Sequence, residues 1–125
     1  MQVTKLGEGR AEVAVVGGIH GDEPCGIRAI ERLLRDAPEV RRPVKLVVAN
    51  EAAAERGVRY VEEDLNRAFP GYPDGETHEK RLAYDLAHEI EGCRTLALHS
   101  TQSHAEPFAV VDGVADFARE GCPRL

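Results

Sequence analysis

Gly17-Gly18-Ile19-His20-Gly21-Asp22-Glu23-Pro24 decides how the rest of this chain is read. An apolar run, Val13 to Val16, leads straight into it. Behind it Ile27, Ile30, Leu33 and Leu34 recur at helical spacing. A strand that ends in glycines and turns into a helix is where α/β proteins keep their chemistry, because ligands bind beyond the carboxyl ends of the strands. His20 and Glu23 sit in that turn, and both side chains can bind a transition metal. The His-x-x-Glu spacing lets both reach one point from a tight turn. The competing reading is that Glu23 only caps the helix and His20 only makes a hydrogen bond within the turn.

Outward from this turn, strands and helices alternate. Residues 2–7 read as a short edge strand, Gly7-Glu8-Gly9 as a turn and Glu12 to Gly18 as a buried strand, which together predict an opening hairpin. Asp22 or Glu23 is placed to cap the next helix, with Pro24 in its first turn, where a missing N–H costs nothing. Ala37-Pro38 ends that helix at about Asp36. Val44 to Ala49 is a second buried strand, ending in Asn50, and a short helix from Glu51 to Arg56 stops at Gly57. Arg59 to Gly71 has no clean periodicity and closes in the turn formers Phe69-Pro70-Gly71-Tyr72-Pro73-Asp74-Gly75, so residues 57–75 read as one long ordered loop. An ordered loop of that length is usually functional. Thr77 and Lys80 open a second long helix, with Leu82, Leu86 and Ile90 on one face beside Ala83 and Ala87, and Gly92 ends it. Thr95 to Leu98 reads as a third buried strand, Phe108 to Val111 as a fourth and Gly113 to Arg119 as a last short helix. The alternation predicts a three-layer α/β sheet.

A chain of 125 residues suits one domain, large enough to bury roughly two-thirds of the surface its unfolded form exposes. Apolar content of 42% and charged content of 30% fit a soluble globular protein. The net charge is −6 and the basic residues are scattered, which argues against nucleic acid or an anionic membrane as the main partner. A small anionic substrate remains compatible, since a pocket can be locally positive on an acidic protein. The longest apolar runs are strand-sized, so no membrane-spanning segment is expected, and Met1-Gln2-Val3-Thr4-Lys5 does not begin a signal peptide. Cys25, Cys93 and Cys122 are odd in number and far apart, so neither a disulfide framework nor a Cys-x-x-Cys zinc motif is present. A reducing cytoplasm is the default compartment. Cys25 is read as a small apolar residue packed in the first helical turn rather than as a nucleophile.

Polar residues stand at the carboxyl ends of three apolar strands: His20 with Glu23, Asn50, and His99. Two imidazoles and one carboxylate, with a fourth position open to water, make the composition of a catalytic zinc site; thiolates would mark a closed structural one. His78 and His88 read as helix surface residues, and His104 as a neighbour of His99 that supports the site or touches substrate. Arg59, Asn66 and Arg67 crowd into the 57–75 loop, with Asp64 ahead of the Asn-Arg pair. Arginine grips a carboxylate through two parallel N–H donors, and asparagine offers both donor and acceptor. Above a metal, such a loop would hold an acidic small molecule. The alternative is that the arginines pair with Glu62, Glu63 and Asp64 at the surface.

Gly18-Ile19-His20-Gly21-Asp22-Glu23, then Asp64-Leu65-Asn66-Arg67, then Leu98-His99-Ser100-Thr101, in this order, resemble the succinylglutamate desuccinylase/aspartoacylase family, part of the wider group of zinc carboxypeptidase-like hydrolases. The likeness runs from about residue 12 to residue 111. It implies a three-layer sandwich with a central mixed, mostly parallel sheet, residues 1–125 forming a zinc-binding N-terminal domain that is truncated at the C-terminal side. It implies one Zn2+ per chain, held by His20, Glu23 and His99. Asn66 and Arg67 would bind the carboxylate end of a small acidic N-acyl amino acid, and Arg59, followed by Tyr60, would polarise the scissile carbonyl and stabilise the oxyanion. The reaction implied is hydrolysis of an amide bond, with zinc lowering the pKa of bound water to about 7.

Two departures from the family pattern stand out. The family's general acid/base glutamate would follow residue 125, and Glu106, near His99, matches no motif. Ala97 stands where an acidic residue would orient His99, leaving Asp22, Asp64 or a backbone carbonyl as substitutes. A non-catalytic module for acidic ligands or a partner, and a carboxypeptidase-like metallopeptidase, are the competing functions. An uncovered sheet edge also predicts self-association and an exposed apolar patch near residues 108–118.

Overall fold

The computed structural model describes residues 1–101 together with 103, 104, 106, 108 and 110. The expected strand over 108–111, helix over 113–119 and apolar patch over 108–118 lie outside the described residues, apart from Phe108 and Val110, which are both exposed. Four strands are described: β1 (Gln2–Leu6), β2 (Val13–Gly17), β3 (Val44–Val48) and β4 (Arg94–Ala97). Four helices join them: α1 (Pro24–Asp36), α2 (Glu51–Arg56), α3 (Leu65–Ala68) and α4 (His78–Glu89). The strands lie in the order β1-β3-β2-β4. β2 pairs in parallel with β3 and β4, and β1 pairs antiparallel with β3, so the sheet is mixed and mostly parallel.

Side-chain alternation sorts the core into two layers. Val16 and Val47 are register partners on one face, buried with Leu65 and Ala68 of α3 and Leu82, Ala83 and Leu86 of α4. Val15 and Leu46 are the next pair and face the other way, where Ile27, Ile30 and Leu34 of α1 pack on them. Helices therefore cover both faces, as the three-layer reading requires. Each fully buried Leu or Ile here contributes roughly 1.5–3 kcal/mol.

Three expectations need correction. β1 is an edge strand, but it forms no hairpin with β2; it pairs with the far side of β3. Both edges of β2 are taken by parallel partners, and the intervening segment crosses the start of β3, where the Glu12 N–H bonds to the Pro43 carbonyl and Arg42 pairs with Glu12 at 2.7 Å. β4 is not buried: all four of its residues are exposed, and Leu96 retains 45% of its surface. It leans on β2 alone, and among the described residues no strand pairs with its outer edge. Finally, the 57–75 loop contains the single turn α3, capped by the Asp64 carboxylate on the Asn66 N–H.

This topology positions the site. From β2 the chain goes to β3 on one side and later reaches β4 on the other. The carboxyl ends of β2 and β4 thus flank a point where strand order reverses, which is where open α/β sheets bind ligands.

Candidate metal centre

The turn after β2 is built from glycines for specific reasons. Gly18 has φ +68°, a left-handed conformation that side chains disfavour. A Cβ on Gly21 would lie 2.2 Å from the Ala53 carbonyl carbon, so only glycine lets the turn pass α2 this closely. The Gly21 N–H bonds to the Arg59 carbonyl at 3.1 Å, tying the turn to the 57–75 loop.

His20 and Glu23 end up buried, 3% and 7% exposed, at the mouth of this turn. Glu23 occupies the residue before α1 but makes no side-chain capping bond. Of the two candidate caps, Glu23 therefore does not serve α1. Instead the Glu23 carboxylate faces the histidines: Oε1 lies 2.8 Å from His20 Nδ1 and Oε2 2.9 Å from His99 Nδ1. The Ser100 N–H donates to Oε2 at 3.0 Å. Burial alone would push the Glu23 carboxyl up, but the Ser100 N–H and the two histidines outweigh it and hold the carboxyl below its usual range.

The three donors, two imidazoles and one carboxylate, lie within 4.8 Å of one another, the only such group among the described residues. The remaining ring nitrogen of His20, Nε2, is 3.1 Å from Asp64 Oδ1. Such a carboxylate fixes the tautomer and orientation of a metal-binding histidine. Burial raises the Asp64 carboxyl, while His20, the Asn66 N–H and Arg59 bring it below its ordinary value. Donor type, convergence and this support all fit a zinc ion. His99 lacks the equivalent support. Ala97 is exposed, and no carboxylate meets His99 Nε2 among the described residues; Asp64 serves His20 instead.

The 57–75 loop delivers Arg59 to the same place, with Nη1 3.3 Å from Glu23 and Nε 3.5 Å from Asp64. Asn66 and Arg67 sit on α3, two and three residues beyond Asp64. Both side chains are exposed and make no hydrogen bond or ion pair among the described residues, so of the alternative surface pairings only Arg59 with Asp64 is formed. His88 and His104 are exposed, whereas His78 is half-buried with Nε2 3.3 Å from Asn50 Oδ1, not the surface residue expected. Cys25 is exposed rather than packed in the first turn.

Sequence reading overlooked Glu79. Its side chain is 0% exposed and accepts hydrogen bonds from Asn50 Nδ2 and from the N–H groups of Val61, Glu62 and Glu63. The signal was present: Glu79 falls in phase with Leu82, Ala83 and Leu86, a charge inside an apolar stripe.

Comparison with known proteins agrees with this geometry. The profile of the succinylglutamate desuccinylase/aspartoacylase catalytic domain matches residues 10–116. An N-acyl-aromatic-L-amino acid amidohydrolase (carboxylate-forming) from Xenopus laevis is 44% identical over 62 residues, 47% of this chain and 20% of that protein. Aspartoacylase from Mus musculus is 37% identical over 82 residues, 63% of this chain and 25% of that protein. The crystal structure of a succinylglutamate desuccinylase/aspartoacylase from Rhodobacter sphaeroides superposes with a TM-score of 0.68 at 29% identity, covering 78% of this chain and 32% of that one. The chain thus spans a fifth to a third of the length of these relatives. With the profile covering most of its length, and a His-Glu-His cluster at the switch point of the sheet, the chain belongs to the succinylglutamate desuccinylase/aspartoacylase family.

Proposed function

We propose that this chain carries the zinc- and carboxylate-binding part of a hydrolase that cleaves the amide bond of a small N-acyl amino acid. The observation that carries the reading is the convergence of His20, Glu23 and His99 with Arg59 beside them. In this reading His20, Glu23 and His99 hold the metal. Zinc bound there supplies a Lewis acid and a hydroxide-strength nucleophile at neutral pH.

The other residues do the binding and orienting. Asp64 holds the His20 ring from behind. Arg59, which is held by two carboxylates beside the cluster yet remains 46% exposed, stabilises charge developing on the carbonyl oxygen. Asn66 and Arg67, exposed one turn away, receive the substrate carboxylate, Arg67 through two parallel N–H donors.

Metal analysis tests this directly. Protein purified without chelator and reconstituted with zinc should hold about one zinc per chain, and a His99→Ala variant should lose most of it. Zinc-free protein after reconstitution, or unchanged zinc in His99→Ala, refutes the reading. A panel of N-acetyl amino acids with acidic or aromatic side chains then identifies the preferred class, and short peptides test the carboxypeptidase-like alternative.

That no carboxylate among the described residues meets His99 Nε2 favours a second reading, a module that binds an acidic ligand without turnover. It predicts carboxylate binding that depends on Arg67 and no hydrolysis by the natural reading frame containing this chain.

A further inference from the structure

Glu79 is a carboxylate with no solvent exposure, on the apolar face of α4. A buried charge is tolerated only when its oxygens are satisfied. Here Oε1 accepts from the Val61 N–H at 2.7 Å and from Asn50 Nδ2 at 3.0 Å. Oε2 accepts from the N–H groups of Glu62 at 3.1 Å and Glu63 at 3.2 Å. Three consecutive amides turned onto one carboxylate fix the backbone of residues 61–63. Arg59 precedes this segment and Asp64 follows it, and these are the two loop side chains that touch Glu23 and His20.

Asn50 carries the connection back to the sheet. It is 0% exposed, its Oδ1 accepts the Ala53 N–H, and its own N–H bonds to the Gly18 carbonyl at 2.9 Å. Gly18 lies two residues before His20. One buried path, Gly18 to Asn50 to Glu79 to the 61–63 amides, therefore references the loop and the metal ligands to the same point of the sheet.

We propose that Glu79 is a positioning residue, which holds the 59–67 loop so that Asp64 meets His20 and Arg59 meets Glu23, and so sets affinity for a carboxylate ligand at Asn66 and Arg67. The ligand part rests on the deacylase reading; the ordering of the loop does not. A purely structural role in the core would stabilise all layers alike.

The test uses the zinc-loaded full chain with Glu79→Gln and Glu79→Asp, and with Asp85→Asn, an exposed position on the same helix, as control. Amide hydrogen exchange is followed residue by residue, and N-acetyl-L-glutamate binding is measured by calorimetry. In Glu79→Gln the amides of residues 61–64 should exchange about tenfold faster or more, because an amide side chain cannot accept all four bonds. Amides of β2 and β3 should accelerate clearly less than those of residues 61–64. N-acetyl-L-glutamate affinity should fall about tenfold at unchanged zinc stoichiometry, with Glu79→Asp intermediate and Asp85→Asn like wild type. Unchanged loop exchange overturns the proposal. So does equal acceleration in β2 and β3, or unfolding of both Glu79 variants, since each would make Glu79 a determinant of the whole fold. If wild type binds neither N-acetyl-L-glutamate nor N-acetyl-L-phenylalanine, the deacylase reading fails while the exchange data still decide the role of Glu79.

Discussion

Asp64 offers the sharpest test of the metal centre. Its Oδ1 lies 3.1 Å from His20 Nε2 and also accepts the Asn66 N–H at 2.9 Å, so substitution perturbs both metal support and a helix cap. Losing a carboxylate behind a zinc-bound histidine weakens metal affinity about 10–100-fold, equivalent to about 1.4–2.7 kcal/mol. The Asp64 side chain is 25% exposed, and water can partly replace it, which favours the lower half of that range for a variant that keeps an acceptor. Asp64→Asn should therefore cost about tenfold in zinc affinity, and Asp64→Ala more, approaching 100-fold. The cap separates the two effects. Asp64→Ala should also lose about 1 kcal/mol of metal-free stability, whereas asparagine caps as well as aspartate and should lose almost none. Zinc affinity is read by competition with a chromophoric chelator, and stability by urea unfolding of the metal-free protein. A zinc affinity of Asp64→Ala within about twofold of wild type would refute the geometry argued for the site.

Ala97→Asp should tighten zinc by about tenfold in the same competition assay, by giving His99 a carboxylate partner that none of the described residues supplies. Ala37 has φ +41° at the end of α1, so Ala37→Gly should raise the unfolding free energy by about 1 kcal/mol in denaturant titrations. Gly21→Ala should cost several-fold in yield and about 1–3 kcal/mol or more in stability, since its Cβ would overlap the Ala53 backbone. Burial raises the Glu79 carboxyl, but the Val61, Asn50, Glu63 and Glu62 donors hold it below its ordinary 4.5. A depressed folded value means the unfolded chain binds the proton first, so this stabilisation is complete above pH 4.5 and drains as pH falls towards the folded value. Urea unfolding across that window should show a shallower pH slope for Glu79→Gln than for wild type.

The local elements were legible in the sequence wherever one dominant signal acted. Pro24 and Ala37-Pro38 bracket α1, Gly57 stops α2, and β-branched runs mark β2 and β3. Those signals come from backbone sterics and periodicity, which neighbours in sequence determine. Strand pairing was misjudged because a glycine turn between two strands is compatible with a hairpin or with a crossing over a third strand. Only the parallel partners on both edges of β2 exclude the hairpin. The exposure of β4 was equally hidden, because an apolar run specifies a strand and not what covers it.

His20, Glu23 and His99 were identified as metal-binding candidates from residue type and position at strand ends. What the sequence could not order was their support. Whether Asp64 serves His20 or His99, whether Glu23 caps α1 or faces the histidines, and what holds the Arg59–Arg67 loop are questions of contacts between residues up to 77 positions apart. Chemistry-bearing residue types are a property of the chain itself. Their orientation depends on which buried polar groups satisfy one another, and that is decided only when the sheet brings Asn50, Glu79 and residues 61–63 together. The glycine turn at Gly17–Pro24 therefore marks the place of the site, and the fold decides its geometry.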